Sequence, residues 1–381
     1  MRSPKLHVPV IAILVAASNA NAQSSVTLYG SIDVALAYFN NTGHASVFQM
    51  QNGDLQSTFW GLRGNEDLGG GLKALFDLES GVDITSGHLQ NGGREFGRQS
   101  YVGLQSDKLG TVTLGRQYDP TVDLVQPITA DVYGPAFATP GDADNNDGTV
   151  WVDNAIKYAS PTYAGFQYEL MYAVGGVPGS VSSGHTYSAA ALYSNGGLSL
   201  ATGYLFAKND GPAGAGTADL TQNNAVTPLF DAVAMVGSRQ IVQVAAQYVV
   251  GNLTGNVRYS NAQYKPYMSF GAFNRTETFN IAGASLAYQV TPAELLSLGY
   301  VYAKSNGGSS ATYNNVAASS AYSLSKTTTL YATAAYSHAS GTTFSGDGTT
   351  LVSAGGSIGD VTSSSGTPNQ VGVMIGMVHK F

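Results

Sequence analysis

From Val26 to Tyr38 the chain alternates: Val26, Leu28, Ile32, Val34, Leu36 and Tyr38 share one parity, and Thr27, Ser31 and Asp33 the other. A two-residue period belongs to a strand whose successive side chains face opposite sides of a sheet. The C-terminal stretch repeats it, with Val371, Val373, Ile375, Met377 and Phe381 set against Gln370, Gly372, Gly376 and Lys380. Sixteen such strands are predicted, at 24–39, 55–66, 71–83, 96–106, 110–118, 150–160, 165–175, 185–194, 197–208, 238–250, 252–264, 277–290, 294–305, 315–325, 327–339 and 369–381. Tight joints such as Asp67-Leu68-Gly69-Gly70, Asn195-Gly196 and Thr291-Pro292-Ala293 alternate with longer loops, notably 119–149, 209–237 and 340–368.

An even number of strands, short turns on one rim and long loops on the other describe a transmembrane β-barrel. Tyr158, Tyr168, Tyr172, Tyr193, Tyr204, Tyr248, Tyr288, Tyr300 and Tyr336 fall on the apolar face, often near strand ends. There a ring meets the acyl boundary and its hydroxyl the headgroups. Charged residues make up only 11%, against about 25% in soluble domains. Beyond the N-terminus no apolar run reaches the ~18 residues of a membrane helix, so a closed barrel is the remaining way to pair every backbone group in lipid. A soluble β-sandwich or adhesin also alternates, but does not account for an apolar aromatic face on nearly every strand.

The first 22 residues are predicted to be a signal peptide, with Arg2 and Lys5, an apolar run from Leu6 to Ala17, and Ala20-Asn21-Ala22 at the cleavage site. The barrel is then residues 23–381, two charges more negative than the net −7 of the whole chain. An acidic balance with no basic cluster excludes nucleic acid as an expected partner. With no cysteine, disulfides and thiolate metal sites are excluded, and no cofactor is expected.

The segments Ser25-Val26-Thr27-Leu28-Tyr29-Gly30, Gly61-Leu62-Arg63-Gly64-Asn65-Glu66-Asp67-Leu68-Gly69 and Gly110-Thr111-Val112-Thr113-Leu114-Gly115-Arg116-Gln117 stand out, with the ending His379-Lys380-Phe381. Together they resemble the general diffusion porins of betaproteobacteria, of the Gram-negative outer membrane. The resemblance implies a homotrimer of sixteen-stranded antiparallel barrels, set among outer-membrane lipid and lipopolysaccharide and passing small hydrophilic solutes. It implies that the third long loop, 119–149, folds into the lumen and narrows it. Asn40–Leu55 and Ile84–Glu95 would be the first two outer loops, the second latching onto a neighbouring subunit with Arg116 in the latch. Phe381 would be the residue read by the barrel-assembly machinery.

The site of such a channel is a field between loop acids and wall cations rather than a reacting group. Asp131, mid-loop, matches the family's lumen acid, with Asp123 beside it. Asp119, Asp142, Asp144 and Asp147 read as solvated loop charges, the last three climbing back to the rim. Arg98 matches a wall arginine of the family, but Phe59 and Trp151 stand where two further arginines are common. Trp151 keeps step with Asp153 and Lys157, an inward parity. The basic wall reduces to Arg98, helped by Lys157 and Arg258, so weak or cation-leaning selectivity is expected. Phe59 and Trp151 offer a stacking surface, and a substrate-selective channel for sugars or aromatic acids is the alternative. Asp142 to Gly148 resembles a calcium loop, but its glycine comes one residue late and no helices flank it. His44, His88, His185, His338 and His379 join no Ser or Asp in a motif, so no enzyme is expected.

Overall fold

A computed structural model describes residues 25–209, 217, 236–269, 271–346, 348–361 and 365–381. The predicted signal peptide and most of loop 209–237 lie outside the described residues. The strands are β1 (Ser25–Thr42), β2 (Ala45–Asn52), β3 (Phe59–Gly69), β4 (Leu72–Gly81), β5 (Gln99–Ser106), β6 (Gly110–Tyr118), β7 (Trp151–Ala159), β8 (Phe166–Ala173), β9 (Thr186–Asn195) and β10 (Leu198–Lys208). They continue with β11 (Val236–Val250), β12 (Leu253–Pro266), β13 (Glu277–Thr291), β14 (Glu294–Asn306), β15 (Thr312–Ser323), β16 (Thr328–Ser340), a small hairpin of β17 (Thr342–Phe344) and β18 (Leu351–Ser353), and β19 (Asn369–Lys380).

All but the hairpin join one antiparallel sheet, which closes where β19 pairs with β1. Gly30 and Phe381 complete that seam with two backbone hydrogen bonds of 3.1 Å. Because β2 and β3 follow one another along β1, they make a single stave, and the barrel has sixteen. Closure leaves no open edge, as lipid requires.

The alternation becomes an outside and an inside. On β1, Val26, Leu28, Ile32, Leu36 and Tyr38 are exposed, while Ser31, Asp33, Ala35, Ala37 and Phe39 are buried. On β19, Val371, Val373, Ile375 and Met377 face out and Gln370, Met374 and Val378 face in.

The first outer loop is not the expected span of Asn40–Leu55. Gly43 and His44, both at positive φ, make a tight turn, and β2 folds straight back on β1. Phe48 and Met50 alternate outward there, a strand pattern hidden between glutamines. The stave breaks instead at residues 53–58, which turn into the lumen. Asp33, buried on β1, holds the break: one carboxylate oxygen accepts the Leu55 and Gln56 N–H groups at 2.6 and 2.7 Å, and the other accepts the Tyr331 hydroxyl at 2.6 Å.

Loop 119–149 lies inside the barrel. It opens with α1 (Pro120–Leu124), capped by the Asp119 carboxylate, which accepts from Thr121 N at 2.8 Å and Oγ1 at 2.6 Å. Short 3-10 turns then carry it along the inner wall from β8 to β15. Small inward residues make room. Val125 and Ile128 pack on Ala201 and Ala245, and Ala136 and Phe137 on Ala317 and Ala335. A Cβ at Gly299 would stand 2.6 Å from the Phe137 ring. Toward the long-loop rim, Phe273, Phe279, Tyr264, Tyr313 and Phe344 form a dry cluster. Open space is left on the opposite side, between the loop and the wall of β3–β7.

Candidate functional site: the lumen constriction

A cavity of about 690 Å³ lies between that wall and the loop. Phe59, Arg98 and Trp151 line it from the wall, and Asp123 and Asp131 from the loop. Lys157 lines a neighbouring space of about 370 Å³ that shares Asp123. The structure thus brings these six residues to two adjoining parts of the lumen.

Their side chains are largely engaged with one another. The Arg98 guanidinium lies 4.7 Å from the Phe59 ring centre, 5.7 Å from Trp151 and 5.8 Å from Tyr118, with Nε 3.4 Å from Glu79. Each such face-on contact contributes roughly 0.5–2 kcal/mol, more as water is excluded. Phe59 and Trp151 therefore have ring faces turned to this arginine. Glu79 is itself fixed by the Tyr29 hydroxyl at 2.8 Å.

Lys157 forms a close ion pair with Asp123, and its Nζ also lies 3.9 Å from Glu169. The step shared by Trp151 and Lys157 is interrupted, because β6–β7 pairing shifts between Gly115 and Gln117 and Asn154 takes positive φ. A bulge slips parity by one, yet both residues still reach lumen cavities. Arg116 is buried; its Nε donates to the Gly97 carbonyl at 2.7 Å and its Nη1 to Asp153 at 2.7 Å.

The loop acids differ from the expected solvated charges. Asp119, Asp142 and Asp144 are wholly buried. Asp142 accepts from the Asp147 N–H at 2.9 Å and the Thr149 hydroxyl at 2.6 Å, shaping the turn where calcium ligation was considered. Arg258 is not part of an open basic wall. It lies under the loop, ion-paired with Asp144, 3.8 Å from Asp131 and donating to Thr139 Oγ1 at 2.7 Å. The Asp131 carboxylate consequently points to the wall beneath the loop. Burial pushes the Asp131, Asp142 and Asp147 carboxyls upward, and neighbouring carboxylates add to it: Asp144 for Asp131, Asp360 and Asp144 for Asp142, and Asp142 for Asp147.

Two contributors carry no signal in the sequence. Gly53 and residues 55–58 line the cavity because the stave breaks, and Asp360, from the last long loop, lines it too. Among the described residues, this cavity sets Arg98 against Asp123, Asp131, Asp147 and Asp360.

An apolar outer face, a closed sheet and a charged lumen crossed by a folded loop define a membrane-spanning channel barrel. The chain belongs to the Gram-negative porin family, whose model matches residues 10–342. It is 40% identical over 172 residues to an outer membrane porin protein of Bordetella pertussis, covering 41% of this chain and 44% of that one, so the chain spans less than half that relative's length. It is 26% identical to the major outer membrane protein P.IB of Neisseria gonorrhoeae, over 86% of this chain and 92% of that protein. The anion-selective porin from Comamonas acidovorans shares the fold, with a TM-score of 0.72 and 24% identity over 94% of this chain and all of that one.

Proposed function

We propose that the protein is an outer-membrane channel, exported with a cleaved signal peptide, through which ions and small hydrophilic solutes diffuse passively with a cation-leaning preference. The observation that carries the preference is the cavity lining among the described residues, where one arginine stands against Asp123, Asp147 and Asp360, the carboxylate of Asp131 being turned to Arg258 beneath the loop. That arginine is shared with Glu79 and three rings, and burial pushes the Asp147 and Asp360 carboxyls upward, so the preference is modest. Anion selectivity belongs to the Comamonas porin by its name, whereas here Arg98 is the one cationic residue among the described residues lining the main cavity.

A homotrimer fits the family. In it Arg116 anchors the second outer loop at Gly97, and that loop reaches a neighbouring subunit. Phe381, half exposed beside the closing seam, is the recognition signal for assembly. Channel rather than enzyme is the reading that fits the histidines as well: His338 meets the Asn369 amide oxygen at 2.8 Å and His379 the exposed Thr328 hydroxyl at 3.0 Å, and neither pair includes a carboxylate to orient the imidazole. Refolded protein in a planar bilayer should give stepwise currents that scale with KCl. Flux that saturates or is blocked by a sugar would indicate a selective channel, and no current a plugged barrel.

A further inference from the structure

The last long loop does more than cap the rim. After the β17–β18 hairpin, residues 354–359 descend into the barrel and are buried throughout, Ser357 and Ile358 completely. The wall holds them from one side, where the Ser357 N–H donates to Ser337 Oγ at 3.1 Å and the Ile358 N–H to Gln370 Oε1 at 3.0 Å. The third loop holds them from the other: the Gly141 N–H donates to the Gly359 carbonyl at 2.9 Å, and the Asp360 N–H to the Pro135 carbonyl at 3.1 Å. The approach at Gly359 tolerates no side chain, since a Cβ would stand 1.9 Å from the Pro135 oxygen, and its φ of +47° is one that L-residues rarely adopt.

We propose that this segment is a second constriction element, docked on the third loop through Gly359, and that Asp360 is a selectivity-determining acid of the channel. Asp360 is the residue of the segment that reaches the main cavity, where it joins Arg98 and Asp123. The alternative, a loop that merely packs, explains the buried Ile358. It does not explain why the chain continues inward until Asp360 lines the main cavity. A fixed charge in a narrow, low-dielectric passage acts on every ion that passes. Gly359 is the positioning residue, and its role is to bring that charge in.

This inference rests on the channel reading, and the experiment separates the two. The chain has no cysteine, so Asp360→Cys is a single reactive site. The variant, unmodified protein and Ser353→Cys on the exposed hairpin are placed in planar bilayers and treated with a cationic methanethiosulfonate. In Asp360→Cys the reagent should lower the open-channel current and move the reversal potential toward anions, leaving the other two unchanged. Gly359→Val should raise single-channel conductance roughly 1.5-fold by undocking the segment. In that background Asp360→Asn should no longer shift selectivity. A conducting channel in which Asp360→Cys fails to react, or reacts without changing the current, overturns the inference. It does so whether or not Gly359→Val folds. Absence of conductance in the unmodified protein sinks the channel reading instead.

Discussion

Arg98 is the residue on which the electrical balance of the lumen turns. Its guanidinium is held by Glu79 and an aromatic enclosure rather than left free to attract anions. Arg98→Gln removes the single positive charge among the described residues of the main cavity and frees Glu79. The cation-to-anion permeability ratio should rise about twofold or more, read as a reversal potential. Asp33 has a different task, positioning the break at 53–58. Asp33→Ala leaves the Leu55 and Gln56 N–H groups and the Tyr331 hydroxyl without their acceptor. Such losses cost roughly 1–3 kcal/mol per buried group. Urea unfolding in detergent should show a lower midpoint, with Asp33→Asn falling between the two.

At the scale of elements, the third loop is pinned by a buried ion cluster, and the last loop rests on it. Arg258→Met removes the cation from between Asp144 and Asp131. Stranding a buried partner typically costs ~3–5 kcal/mol, so the loop should loosen and the open-channel current become noisier. The two loops also meet around carboxyl groups. Burial pushes Asp360 up to about 7, and Asp142 and Asp147 are raised well above the usual carboxylate range. The groups facing this junction are Asp131, Asp142, Asp144 and Asp147 of the third loop, Arg258 of the wall and Arg98 across the cavity. A carboxyl raised by docking favours the docked state while protonated. That contribution is full in acid and is lost as pH rises through the raised values. Cation preference should therefore grow between about pH 5 and pH 8 as the lumen gains negative charge. Asp360→Asn should flatten that rise, measured as reversal potential against pH.

At the scale of the whole molecule, the barrel was legible because lipid outside imposes one strict rule on every stave. The predicted strand at 110–118 coincides with β6, and most others agree within two or three residues. The six residues expected at the constriction can be picked out because loop acids and inward wall positions are visible as types and parities, and the structure sets them along two lumen cavities. Their partners were not. Whether a loop aspartate is solvated depends on which wall the loop lies against, and nothing in the run from Asp142 to Asp147 says that Arg258 waits beneath it. The stave break at Asp54 was concealed because its polar residues look like any outer loop. Asp360 was concealed by distance along the chain, since only the closed barrel brings the last loop onto the third.

The most direct test of the account is the zero-current potential of refolded protein in a planar bilayer across a KCl gradient at neutral pH. A water-filled barrel whose main cavity sets one engaged arginine against Asp123, Asp147 and Asp360 should give discrete openings and a potential displaced toward the potassium equilibrium value. Displacement toward the chloride value, or a bilayer that never conducts, would contradict it.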